Sequence, residues 1–262
     1  MPKDVGPAVG AQAPAESGSL GRLFSRRITI LAGHFGSGKT EITLNGALEL
    51  AARGEAVTLV DLDVVKPYFR SRSAREFLRQ GGVDLVAPQG EFFSSDLPII
   101  LPQIRSAVGD PSRKVLLDAG GDDTGARVVG SLTDVIREGE ETDFLLVLNF
   151  RRPFTPDVPS ATAMVREIEA TARLRVTGLI SNTHLMHETT PEVALEGYRL
   201  ARETARGLGV RLAAVTVEEP LLAPVRDGVG AECPVAPLRR IVRPPFEGSR
   251  QQRTVGPLFA VG

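Results

Sequence analysis

The chain has 262 residues, with 31 basic against 32 acidic side chains and a single cysteine, Cys233. Near-neutral charge provides no bulk attraction to nucleic acid or to an anionic membrane. One cysteine excludes an internal disulfide and any Cys-rich metal site within the chain. No apolar run reaches the ~18 residues of a membrane span, and no charged-then-apolar leader opens the sequence, so a cytoplasmic location is expected.

Residues 1–25, rich in Ala, Gly, Pro and Ser, read as a disordered leader with too little apolar surface to offset ordering entropy. Residues 26–242 read as one domain and 243–262 as an irregular tail. In the middle, short apolar runs at 28–32, 56–60, 115–117, 144–149, 176–181 and 212–215 predict strands. Amphipathic stretches at 39–53, 72–80, 99–107, 126–138, 159–172 and 191–208 predict helices. Several strands are continuous apolar runs, the pattern of strands covered on both faces. Their alternation with helices predicts an α/β fold, a mostly parallel sheet in a three-layer α/β/α sandwich. No internal repeat and no second domain stand out.

The first strand runs into Gly33-His34-Phe35-Gly36-Ser37-Gly38-Lys39-Thr40. This matches G-x-x-x-x-G-K-[ST], the P-loop, at every fixed position and in the required strand–loop–helix setting. Its glycines let backbone N–H groups converge on an anion, and the helix behind it adds a positive N-terminal dipole. Lys39 would reach the β- and γ-phosphates, and the Thr40 hydroxyl would ligate Mg²⁺. Glu41 follows in the first helical turn.

Such a loop needs carboxylates nearby. Asp118 ends the run Val115-Leu116-Leu117, and Gly120 and Gly121 follow, giving a D-x-x-G element suited to sensing a γ-phosphate. Asp61 and Asp63 end the second strand with both side chains on one face. Asp63 is assigned to the attacking water and Asp61, with Asp118, to the metal shell. The spacing also allows Asp61 and Asp63 to exchange roles.

Together with Asn182, these motifs resemble, in their order, the CobQ/CobB/MinD/ParA-like (SIMIBI) class of P-loop NTPases, over roughly residues 26–222. The stretches at 63–72 and 120–127 look like a prokaryotic subfamily of that class. The resemblance implies a mainly parallel sheet with the second strand beside the P-loop strand. It implies a homodimer and an activity as ATPase, GTPase, metallochaperone or ATP-dependent ligase. Partitioning ATPases of the class carry a signature lysine at the second loop position. His34 stands there instead, either donating to phosphate or simply filling the loop.

Asn182 resembles the base-contacting Asn of the class. Guanine readers add an Asp three positions on, where this chain has Leu185. Leu cannot accept the guanine N1–H and N2–H protons, and unpaired buried donors cost about 1–3 kcal/mol each. The expected ligand is therefore ATP with Mg²⁺. Arg70 and Arg72, after the Asp pair, and Asp122, Asp123 and Arg127 lie where switch regions would be. Tyr68 and Phe69 serve equally well as core anchors. Arg151 and Arg152, at a strand tip, would suit an acidic co-substrate or a solvated pair. His184 and His187 make a weak metal pair, and Cys233 suits packing. These readings support a nucleotide-driven switch acting on a protein partner, a ligase or kinase acting on a small acid, or a non-hydrolysing sensor.

Overall fold

The computed structural model describes residues 20–62, 72–87, 102–120, 123–136 and 141–241. In chain order these hold β1 (Ile28–Ala32), α1 (Lys39–Ala52), β2 (Val57–Leu62), α2 (Arg72–Gln80), β3 (Val83–Val86) and α3 (102–109). After them come β4 (Lys114–Ala119), α4 (Asp123–Gly130), β5 (Thr142–Leu148), α5 (Val158–Ala172) and β6 (Gly178–Ser181). The series ends with α6 (Pro191–Leu208), β7 (Arg211–Glu218), α7 (Leu222–Val229) and β8 (Val235–Leu238).

The eight strands form one sheet in the order β3-β2-β4-β1-β5-β6-β7-β8. Each neighbouring pair is parallel. Parallel strands need covering on both faces, because their crossovers lay helices there. Period-two alternation divides the side chains accordingly. Ile28, Ile30, Val115, Leu117 and Phe144 join the core packed by α3, α4, α5 and α6. Leu31, Leu59, Leu116, Leu145 and Val147 join the opposite core, under α1 and α2. A smaller cluster between β7, β8, α6 and α7 closes the far edge.

The expected strand order is corrected in one respect. The second strand does not lie beside the P-loop strand: β4 sits between them, pairing with β1 on one side and β2 on the other. The insertion is accommodated because the Val-Leu-Leu run of β4 is buried on both faces. It brings Asp118 into the strand next to the loop.

Three further differences have local causes. Residues 20–25, assigned by composition to the leader, include Leu20, Leu23 and Phe24, which are buried in the core beside α1. β3 and β8 are only four residues each, and α7 eight, too short for periodicity to mark them. The helix expected at 126–138 begins at Asp123 and ends at Gly130. A Cβ on Gly130 would lie 3.0 Å from the Thr171 carbonyl of α5, so α4 turns off where it meets that helix.

Gly46 of α1 makes close packing visible: a Cβ there would lie 1.9 Å from Cε2 of Phe24, whose ring is fully buried. Overpacking of this kind costs about 1–3 kcal/mol, against roughly 1 kcal/mol gained from replacing a helical glycine by alanine. Gly46→Ala is therefore expected to lower the urea midpoint. A raised midpoint would mean that Phe24 does not occupy this groove.

Candidate nucleotide site

β1 is the strand from which the loop springs, and its C-terminal end lies between those of β4 and β5. Outside the carboxyl ends of parallel strands, where neighbouring strands send the chain in opposite directions, a crevice forms. Here β1 leads through α1 toward β2, while β4 leads through α4 toward β5.

The loop is shaped by its carbonyl groups. Gly36 and Gly38 take positive φ, 77° and 91°, a region open to glycine at little steric cost. The Gly36 carbonyl accepts from Asn149 Nδ2 at 3.2 Å and from Arg152 Nε at 3.0 Å. His184 donates to the same carbonyl. The Ser37 carbonyl accepts from Asn182 Nδ2 at 2.7 Å. In a trans peptide C=O and the following N–H point in opposite directions. Pulling the Ser37 oxygen toward Asn182 therefore turns the Gly38 N–H away from it, toward the mouth of the loop. Asn182 stands so close that a Cβ on Gly38 would lie 2.1 Å from its Nδ2.

Gly38 opens α1 with no side-chain cap. The first-turn N–H groups of a helix have no intrahelical partner, and with the dipole behind them they favour an anion. Ser37 Oγ is buried and has no hydrogen-bond partner among the described residues. Lys39 is buried at the first position of α1, and Thr40 follows at the cavity wall. An uncapped helix, an unsatisfied buried hydroxyl and a lysine at one point fit a polyphosphate. The loop borders a cavity of about 570 Å³ that extends over the ends of β6, β7 and β8, a size suited to a nucleoside.

The acidic residues divide. Asp118 of β4 is in register with Leu31 of β1 on one side and with Asp61 of β2 on the other. Both carboxylates are buried, and their oxygens, like the Thr40 hydroxyl, are hard donors of the kind Mg²⁺ prefers. Asp63 and Gly121 lie outside the described residues, as do Tyr68, Phe69, Arg70 and Asp122, and so do the side chains of Arg72 and Asp123.

Several other predicted residues are engaged with the protein itself. Asn182 braces the loop and accepts from Thr216 Oγ1 at 3.0 Å, leaving one amide hydrogen and one lone pair for a ligand. Arg151 pairs with Glu196 on α6, and Arg152 holds Gly36, so neither is a loose cation at a strand tip. His34 stacks on Phe154, with centroids 5.2 Å apart and planes at 30°. Phe35 is exposed and lines the cavity. The Glu41 carboxylate accepts from the Ile241 N–H, tying the chain beyond β8 to α1. No group of three metal-ligating side chains occurs among the described residues. Burial pushes the Cys233 thiol up to about 11, so it packs rather than reacts.

Sequence reasoning missed the brace. Asn149 directly follows β5, and its Oδ1 accepts from the N–H groups of Arg151 and His184 at 3.0 and 3.3 Å while its amide holds Gly36. Its place at the tip of a central parallel strand was the available signal.

Burial first, and then the charge of Arg152, push the His184 imidazole down from 6.5 to about 4, with Arg240 adding to the shift and the Gly36 carbonyl opposing it. The unfolded chain thus takes the proton first as pH falls. The stability this residue contributes is complete above pH 6.5 and is lost as pH falls toward 4. An NMR titration of His184 is expected to centre near pH 4, moving upward in Arg152→Ala. A midpoint near 6.5 in the wild type would show that the ring is solvated and does not hold the loop.

No protein-family model matches the chain. No curated protein matches it either. Solved structures do. The cell division protein FtsY of Thermotoga maritima is 17% identical at a TM-score of 0.53, covering 78% of this chain and 68% of its own. Chloroplast FtsY of Physcomitrella patens is 17% identical at 0.52, covering 85% and 68%. FtsY of Mycoplasma mycoides is 17% identical at 0.51, covering 76% and 68%. At this identity the likeness is one of fold, and the chain has the parallel, three-layer α/β fold of the P-loop nucleoside triphosphatases.

Proposed function

We propose that the protein is a Mg²⁺-dependent ATP-binding switch with ATPase activity, in the CobQ/CobB/MinD/ParA-like group, working as a homodimer or with a protein partner. The observation that carries this reading is the braced loop. Four side chains hold the Gly36 and Ser37 carbonyls outward beside an uncapped helix and Lys39. Preorganised donors of this kind need no rearrangement to meet phosphate charge.

In this reading Lys39 and the loop amides hold the β- and γ-phosphates, and Thr40, Asp61 and Asp118 hold Mg²⁺. The metal supplies charge neutralisation between the phosphates. Asp63 orients the attacking water, and Gly121 contacts the γ-phosphate. Adenine is favoured over guanine because Leu185 lacks a carboxylate and because the cavity beyond Asn182 is walled by Met186, Val217, Leu221 and Leu238. Arg151 and Arg152 are already engaged. That disfavours a ligase or kinase relying on them for a small acid.

Calorimetric titration with ATP and GTP in Mg²⁺ is expected to give the tighter constant for ATP, and tighter GTP binding would reverse the base assignment. Lys39→Ala should lose measurable nucleotide binding while its circular dichroism is unchanged. Asp118→Asn and Asp63→Asn should still bind nucleotide but release phosphate at least tenfold more slowly. Wild-type turnover in both would remove these carboxylates from the mechanism, and tight binding without turnover in the wild type would make the protein a sensor.

A further inference from the structure

At the opposite end of the strands from the phosphate loop, where β7 begins at Arg211, a cavity of about 470 Å³ adjoins one of about 210 Å³. The two share Tyr198, Arg202 and Glu232. Arg199, Arg202 and Arg206 reach them from α6, and Arg211 from β7. Spacings of three and four residues put the three α6 arginines on one helical face. Like charges at such spacing repel one another and destabilise a helix. The apolar floor is Ala205, Leu212 and Cys233.

One carboxylate lines these cavities, Glu232, and its Oε2 already takes two donors. It accepts from Tyr198 Oη at 2.7 Å and pairs with Arg202, whose guanidinium lies 5.2 Å over the Tyr198 ring. Behind the wall, buried Asp143 accepts from Arg211 at 2.8 Å and from the Thr177 hydroxyl at 2.9 Å. Four guanidinium groups reach the cavities, more than the carboxylates that hold Arg202 and Arg211, and Arg206 lies within electrostatic reach of Glu232. Arg199 and Arg206 form no ion pair among the described residues. Arg202, by contrast, is fixed in place by its carboxylate and ring.

We infer that this is a second anion site, which takes the phosphate group of a small phosphorylated molecule. Guanidinium forks match phosphate oxygens in pairs. An excess of guanidinium over carboxylate suits a phosphomonoester dianion, and the larger cavity, within the usual range for small-molecule pockets, leaves room for the carbon skeleton over the apolar floor. The site shares no residue with the nucleotide cavity.

The test is calorimetric titration of the full chain with glucose 6-phosphate, inorganic phosphate and glucose. It is run with the phosphate loop filled by a non-hydrolysable ATP analogue and repeated in Lys39→Ala without analogue. Saturable binding of glucose 6-phosphate in both settings is expected, with none for glucose. Arg206→Gln should weaken it at least tenfold, and Arg206→Lys should weaken it less, with the thermal midpoint and analogue affinity of both variants unchanged. Absence of glucose 6-phosphate binding, equal affinity in Arg206→Gln, or equal binding of glucose would overturn the site. Saturable inorganic phosphate alone would limit it to the free ion and overturn the phosphorylated-molecule assignment. Because the Lys39→Ala arm does not need a bound nucleotide, failure here is distinguishable from failure of the ATP reading.

Discussion

A phosphate loop works only if its carbonyl oxygens face away from the anion, and this requirement organises the binding end of the molecule. Left alone, a glycine-rich turn samples both orientations of each peptide plane. In this protein Asn149, Arg152 and His184 converge on one carbonyl and Asn182 on the next. Three elements supply them: the end of β5, the loop after it, and the loop after β6. Hydrogen bonds from a charged donor contribute about 1.5–3 kcal/mol, those from neutral donors about 1 kcal/mol. The loop's geometry is thus held by the sheet ends and not by the loop's own turn, Ser37 N–H to His34 O at 3.0 Å.

The same requirement explains why the arginines and the histidine after the central strands are not free for other work. His184 has one ring nitrogen accepting from the Met186 N–H at 3.4 Å and the other donating to Gly36. Its low proton affinity follows from that enclosure beside Arg152. A charged imidazole there would face a guanidinium; a neutral one completes the brace. His34 and Phe154, stacked across the same gap, fasten the loop after β5 to the phosphate loop a second time.

Much of this was legible in the residue string, for identifiable reasons. The P-loop is read by fixed chemistry at fixed spacing, and strands such as β1 and β5 are continuous apolar runs because they are central and covered on both faces. The position of β4 between β1 and β2 was not legible, since strand order is decided by crossovers that leave no local periodicity. β8 contains a proline, Pro237, in a four-residue edge strand, and so carries no strand signal of its own. The brace was hidden because each of its members looks ordinary alone: an Asn just after a strand, one Arg of a pair, a His in a turn. Only the sheet brings residues 36, 149, 152 and 184 together.

The attachment of the chain beyond β8 to α1 bears on how the molecule is made. Asn45 exchanges two hydrogen bonds with the backbone of Arg239, at 2.8 and 2.9 Å, and Glu41 holds the N–H of Ile241. The helix behind the binding loop thus reaches its final environment only when a segment some two hundred positions later arrives. During synthesis, at about 5–20 residues per second, the loop leaves the ribosome many seconds before its last support. Until then the nascent protein presents an early helix whose flank is uncovered, and the loop in front of that helix is without this support.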